Sequence, residues 1–257
     1  MGSKIFESAI KTQLVPFLED KNLISEYQHG FRAKHSTCLN LIESLDDWTS
    51  NLDKKLNTFV AHIDFSRAFD SVPLPKLVHK LKNAGVAGNL LSCIKSMLCN
   101  RSQQVKVGNT LSDYKAVTSG VPQGSVLGPV LFIFYINDII EAAAPPSTVK
   151  LYADNLKAYC SDQNDKKGDV FNVTLKNISS WANTWQLKIS NEKSKWLVIS
   201  NKKPEENQLE LGFELAGEPI PKVLDILDLG VNFSTRLNFY RSYFNNDCKS
   251  KAKTFSS

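Results

Sequence analysis

The stretch Leu151–Tyr159, LYADNLKAY, decides how the rest of the chain is read. It sets Asp154 and Asn155 side by side between two short apolar-aromatic runs. VKLYA and NLKAYC both have strand character, and a two-residue link between two strands makes a tight hairpin. Asp and Asn tolerate the left-handed backbone that such a tip requires. The pair is therefore either a plain turn or an altered form of a paired-carboxylate metal site.

A second carboxylate, ninety residues earlier, bears on that choice. Asp64 closes the apolar run NTFVAHID, and Ser66 and the residues after it can start a helix. By itself Asp64 can be a helix cap. Alternatively it stands at the rim of a sheet, open to a ligand. If the two strands are neighbours, Asp64 and Asp154 meet. Together they offer the hard oxygen donors that Mg²⁺ takes while it keeps positions for water and phosphate oxygens.

The chain around these residues is ordinary for a globular protein: 257 residues, 42% hydrophobic and 22% charged. That length supports a sizeable core. The net charge of +5 suits a polyanionic partner without requiring one. Five cysteines at irregular spacings, with no CxxC, give neither a zinc framework nor a disulfide framework. The longest purely apolar run, VLFIFYI at 130–136, is too short to span a bilayer. No targeting segment is visible at either end. The expectation is an intracellular protein, nuclear or cytoplasmic, neither secreted nor membrane-bound.

Periodicity supplies the elements. Ile5, Phe6, Ile10, Leu14 and Phe17 fall at helical spacing. Ser36 or Thr37 can cap a second helix whose apolar face is Leu41, Ile42, Leu45, Trp48 and Leu52. Two helices follow the NTFVAHIDF strand, the first stopped at Gly85. Gly108-Asn109 marks a hairpin. Pro129 opens an apolar helix reaching about Ala142. After the Asp154 hairpin come a helix bearing Phe171, Ile178, Trp181 and Trp185, then LKIS, NEKS and KWLVIS as strand, turn and strand. Asn201–Gln208 reads as a surface loop, and VLDILDLGVNF as a final strand region before a Lys-rich tail. Helices and strands mix without strict alternation, so the expected class is α+β.

Five segments in this order, QHGFRAKHST, HIDFSRAFDSV, SGVPQGSVLGPVLFIFYINDI, LYADNLKAY and LKISNEKSKW, resemble the reverse transcriptase domain of non-LTR (LINE-like) retrotransposons. The resemblance runs from about residue 5 to residue 235. It implies a right-hand polymerase with palm and fingers, an antiparallel palm sheet packed on helices, and a thumb missing or incomplete. Residues 1–60 would be the fingers-side part, 61–200 the palm with fingers insertions, and 201–257 the primer-supporting strand region and the start of a connection or thumb.

The resemblance also implies roles. Asp64 and Asp154 would bind two Mg²⁺ ions, which Mn²⁺ could replace, with Asn155 beside them. Phe69 would floor the nucleotide pocket and exclude a 2′-hydroxyl, with Phe65 in the same pocket. Gln123 and Gly124 would contact the nucleotide and the templating pair, Arg32 the triphosphate, and Lys193 the leaving pyrophosphate. Leu229-Gly230-Val231 would support the primer end. Each has a plainer alternative: a core ring for Phe69, a surface turn for Gln123-Gly124, a solvated Arg32, a hairpin-tip Lys193. The partners implied are an RNA template, a DNA primer and dNTPs.

The chain departs from the family at position 155, where the family has Asp. Asn keeps an oxygen donor but loses a charge worth on the order of several kcal/mol near a divalent ion at an effective dielectric of about 20. A net loss of about 3 kcal/mol in the transition state would slow the reaction roughly a hundredfold. The expectation is a polymerase core of weakened or absent activity, alternatively an inactive nucleic-acid-binding remnant. With no endonuclease segment and little room for a thumb, the chain reads as a fragment or degenerate copy of a longer element protein.

Overall fold

The computed structural model describes residues 2–162, 168–201 and 211–237. It is an α+β fold centred on one antiparallel sheet. Helix α1 (Gly2–Asp20) leads through an irregular strap into α2 (Thr37–Asp53), capped by Ser36, whose side chain accepts from the Leu39 amide at 3.1 Å. Strand β1 (Asn57–Ile63) is followed by the short α3 (Ala68–Ser71), then α4 (Leu74–Asn83) and α5 (Gly88–Leu98). Asp64 does not cap α3; Arg67 occupies that position, without a side-chain hydrogen bond.

An exposed double ribbon comes next, β2 (Arg101–Gln103) paired with β5 (Lys115–Val117) and β3 (Lys106–Val107) with β4 (Thr110–Leu111), turning at Gly108-Asn109 as expected. Helix α6 (Gly128–Ile136) is buried from Val130 to Ile136 and continues as a 3₁₀ helix over Asn137–Ala142. Strands β6 (Thr148–Tyr152) and β7 (Asn155–Asp162) form the Asp154 hairpin; α7 (Asp169–Trp185) and β8 (Lys195–Ile199) follow.

The sheet order is β6-β7-β1-β8, so β1 lies in the middle between β7 and β8. Alternation along these strands divides the core. Phe59, Ala61 and Ile63 join Ala158 and Cys160 on the face packed by α1, α4, α6 and α7. Val60, Tyr159, Leu197 and Ile199 face Trp48 of α2 and Phe233. Phe233 belongs to a hairpin, β11 (Asp225–Asp228) with β12 (Val231–Ser234), turning at Leu229-Gly230.

Several expectations are corrected. LKIS makes only an isolated bridge between Ile189 and Phe65, because its chain is used to hold the end of β1. VLDILDLGVNF, expected as a strand region, is a hairpin of two strands. A further hairpin, β9 (Phe213–Leu215) with β10 (Glu218–Ile220), packs against α7 and was not signalled by alternation. On α2, Ile42 is 53% exposed while Asn40 and Ser44 are buried. The expected loop at 201–208 lies almost wholly outside the described residues. Among the described residues, no helix is long and apolar enough to cross a membrane.

Candidate active site at the sheet rim

The ladder between β1 and β7 ends at Ile63–Leu156, so Asp64 leaves the sheet beside Asn155. Tyr152 pairs with Asn155, which makes Ala153-Asp154 the two-residue turn. Asn155 is therefore the first residue of β7 and not part of the tip, and the left-handed residue is Ala153, at φ 57°. The register decides this: the closing pair fixes which residues lie outside it.

Both carboxylates are held by their backbones. The Asp64 amide donates to Ser194 Oγ at 3.2 Å, and the Asp64 carbonyl accepts from the Ser190 amide at 2.8 Å. The turn at Ala153-Asp154 is clasped by Gln28, which is fully buried. Gln28 Oε1 accepts from the amides of Ala153 (3.0 Å) and Gly30 (2.8 Å). A Cβ on Gly30 would lie 2.3 Å from the Ala153 nitrogen, so only glycine fits against this turn.

The charges converge at this rim. Burial pushes the Asp154 carboxyl above its usual range; a hydrogen bond from its own backbone pulls it down, Asp64 pushes it up further and Lys193 pulls it down. Lys193 Nζ lies 3.9 Å from Asp64 Oδ1, with side chains 68% and 40% exposed, a loose pair of little worth to stability. Asp64, Asn155, Lys193, Lys195 and the Asp225–Leu229 segment line a cleft of about 180 Å³. Asp64 and Asp154 supply hard oxygens where negative charge is under-compensated, which fits a magnesium site. Among the described residues no third acidic, His or Cys side chain completes a metal cluster, so remaining ligands would come from water and phosphate oxygens.

Three aromatic rings meet next to the strap that carries Gln28. Phe69 stacks on Phe132 at 3.9 Å and 19° and meets Phe31 edge-on at 6.1 Å and 80°. The loop bearing Gln123 and Gly124 is tied to it: the Val121 amide donates to the Phe69 carbonyl, and Gln123 Nε2 donates to Asp70 Oδ1 at 2.7 Å. A Cβ on Gly124 would touch nothing, but its φ of 71° favours glycine. Two expected nucleotide contacts are differently employed. The Phe65 ring is 3% exposed in the core. The Arg32 guanidinium is 9% exposed, donating to both Glu19 oxygens (3.0 and 2.6 Å) and to the carbonyls of Ser25 and Gln28. Lys34, two residues on, is exposed and makes no ion pair among the described residues.

Behind the rim stands a buried polar group that sequence patterning missed. Lys157 Nζ lies 2.5 Å from Asp228 Oδ2, with side chains 4% and 5% exposed. Lys157 also donates to Asn40 and Ser44. His62, with Nδ1 3.8 Å from Asp228, is pushed down to about 4, chiefly by burial, and stays neutral near pH 7. The strand alternation of His62 and Asp64 was visible in the sequence; the pairing of Lys157 with a residue 71 positions away was not.

The family model described as "Reverse transcriptase (RNA-dependent DNA polymerase)" matches residues 1–232. The chain is 28% identical over 247 residues to the probable RNA-directed DNA polymerase from transposon X-element of Drosophila melanogaster, covering 92% of this chain and 26% of that protein. It is 28% identical over 211 residues to the RNA-directed DNA polymerase from mobile element jockey of the same organism, covering 77% of this chain and 22% of that protein. The chain thus spans about a quarter of the length of these relatives. Among solved structures, apo telomerase from Candida tropicalis, truncated of its C-terminal domain, shares the fold with a TM-score of 0.61 at 10% identity, over 90% of this chain and 44% of that one. Telomerase from Candida albicans, in complex with a fragment of telomeric RNA, gives 0.60 at 13% identity, over 91% and 38%.

Proposed function

The chain belongs to the reverse transcriptase family, and from that membership we propose that it is the polymerase core of a retrotransposon-derived protein, extending a DNA primer on an RNA template with dNTPs. The observation that carries this is the convergence of Asp64 and Asp154 at one sheet rim, close enough that Asp64 raises the Asp154 carboxyl. In this reading the central sheet belongs to the palm, set at residues 61–200 although its strand β1 already starts at Asn57; residues 1–60 belong otherwise to the fingers side, and 201–257 begin the primer-supporting region.

Two Mg²⁺ ions, or Mn²⁺ in their place, would supply activation of the primer 3′-hydroxyl and charge neutralisation at the leaving pyrophosphate. Asp64 and Asp154 would hold them, and the Ser190–Ser194 segment and Gln28 fix where those carboxylates stand. Lys193 offers an exposed, loosely paired ammonium to the pyrophosphate. Phe69, backed by Phe132, walls the pocket against a ribose 2′-hydroxyl. The Gln123-Gly124 loop approaches the base pair, and the Leu229-Gly230 turn, on the same cleft as Asp64, steadies the primer end. Arg32 and Phe65 contribute by fixing the strap and the end of β1 rather than by touching nucleotide.

Asn155 lowers the rate, and its missing charge favours a second reading, an inactive remnant that binds RNA through salt-sensitive phosphate contacts. Primer extension by the chain and by Asn155→Asp, in Mg²⁺ and in Mn²⁺, tests both. The variant should incorporate dNTPs, in preference to rNTPs, up to about a hundredfold faster. Equal rates would sink the charge argument. Salt-sensitive RNA binding with no incorporation by either protein would leave the remnant.

A further inference from the structure

The Tyr27–Lys34 strap leaves two large aromatic side chains exposed: Tyr27, whose ring lies under the Lys150 ammonium, and Phe31, which neither the core nor the polar clasp uses. Phe31 is 54% exposed, and its backbone is left-handed at φ 55°. A bulky residue at positive φ is an unfavourable arrangement that persists only when its surroundings enforce it. Here they do. On one side Gly30 is pressed against Ala153 and bonded to Gln28. On the other, Arg32 is fixed to Glu19, Ser25 and Gln28. The strap therefore holds its least favourable residue rigidly. What that residue contributes is a half-uncovered ring whose other contact is the edge-on approach to Phe69.

Phe132, Phe69 and Phe31 thus form a chain of rings running from the core to the solvent-exposed surface. An isolated exposed phenylalanine needs no explanation. One that is strained, pinned on both sides and joined edge-on to a ring stacked on the core does. A flat apolar ring at such a surface suits a flat partner, and every nucleobase has a π-face that stacks irrespective of its identity.

We propose that Phe31 is a stacking platform for the base of the incoming nucleotide, a specificity and affinity determinant additional to Phe69. This rests on the polymerase reading above, and the test separates the two. The wild-type chain is assembled with a chain-terminated primer on an RNA template. A dNTP with a photoreactive base is then bound and crosslinked without turnover, and the attachment site is mapped by mass spectrometry. Attachment at Phe31 is the expected result. Attachment at the Gln123-Gly124 loop or Phe69 but not at Phe31 overturns the inference and leaves the polymerase reading standing. No attachment anywhere in the chain removes both.

Variants add a readout that packing alone would not move. Phe31→Ala should weaken dNTP binding to this assembled complex about tenfold, the scale of one lost base–aromatic stack. Phe31→Trp should restore it, and Phe31→Leu, apolar but without a π-face, should not. Phe31→Gly removes the backbone strain and should unfold at no lower a temperature than wild type while binding dNTP as poorly as Phe31→Ala. Full affinity in Phe31→Leu or Phe31→Gly overturns the inference. So does efficient crosslinking of Phe31 to a photoreactive template base and not to the dNTP.

Discussion

Two lysine–aspartate pairs stand at and behind one end of the central sheet and differ in almost every physical respect. Lys157–Asp228 is buried and tight, at 2.5 Å, and supplied with further partners in Asn40 and Ser44. Lys193–Asp64 is loose, at 3.9 Å, and its side chains are 68% and 40% exposed. Desolvation explains the contrast. A charge taken out of water must be matched closely, because nothing else screens it; a charge at the rim keeps water until a ligand replaces it. The first pair fastens the β11–β12 hairpin to the sheet. The second leaves a carboxylate available beside Asp154. The rim stays open while the charges behind it are closed on each other, although His62 Nε2 beside them is buried without a hydrogen-bond partner among the described residues.

The largest test of that contrast is removal of one member of each pair. Asp228→Ala strands a buried ammonium and should cost about 3–5 kcal/mol of folding free energy in urea unfolding. The double change Lys157→Met with Asp228→Leu removes both charges and should recover most of the loss. Asp64→Ala and Lys193→Ala should each change stability by no more than about 0.5 kcal/mol. A destabilised Asp64→Ala of the same size as Asp228→Ala would erase the distinction between the two regions.

A smaller effect is expected at the clasp that joins them to the strap. Gln28→Ala leaves the buried amides of Ala153 and Gly30 without an acceptor, which should cost about 1–3 kcal/mol. Native-state hydrogen exchange at those two amides should quicken more than at the Val60 amide in the middle of β1. Gln28→Glu keeps an acceptor oxygen and should retain more amide protection than the alanine variant. Uniform loss of protection across the sheet would mean that Gln28 supports the fold at large and not the Asp154 turn.

Much of this fold is legible in the sequence because it rests on local signals. Ser36 has a cap to make, Gly108-Asn109 a turn, and Pro129 a helix start, and each does so. The run ending at Asp64 is a strand because its apolar residues are buried on both faces. Long-range polar pairing is not local, and there the reading fails. Ile42 was placed inside on α2 by its hydrophobicity, yet the inward positions include Asn40 and Ser44, since Lys157 needs oxygen partners where it emerges from β7. The tip of the 151–159 stretch stands one residue earlier than its turn chemistry suggests, for a related reason. Asn155 has turn chemistry, but the ladder partner of Tyr152 and the grip of Gln28 on Ala153, from 125 residues away, set the turn. Arg32 looked free for phosphate because Glu19, its bidentate partner, lies in the preceding helix.

The smallest expected effect probes the rim from the ligand side. Asp154 is held above its usual range by burial and by Asp64, with Lys193 only partly offsetting them, so ionised carboxylates there weigh against the folded state near neutral pH. A divalent cation that binds the folded rim and not the unfolded chain should relieve this. With a dissociation constant of about 1 mM, about 10 mM Mg²⁺ would add roughly 1.4 kcal/mol, a rise in Tm of about 3–5 °C for a chain this size. Ionic strength must be matched with a monovalent salt, because screening alone also eases repulsion between exposed carboxylates. Under that control Asp154→Asn should lose the Mg²⁺ response while unfolding at or above the wild-type temperature without the ion. Asp228→Asn, whose charge serves Lys157, should unfold earlier yet keep the response. If instead Asp154→Asn responds like wild type, the cation is bound elsewhere, and the open carboxylates of the rim have no more claim to a metal than the closed pair behind them.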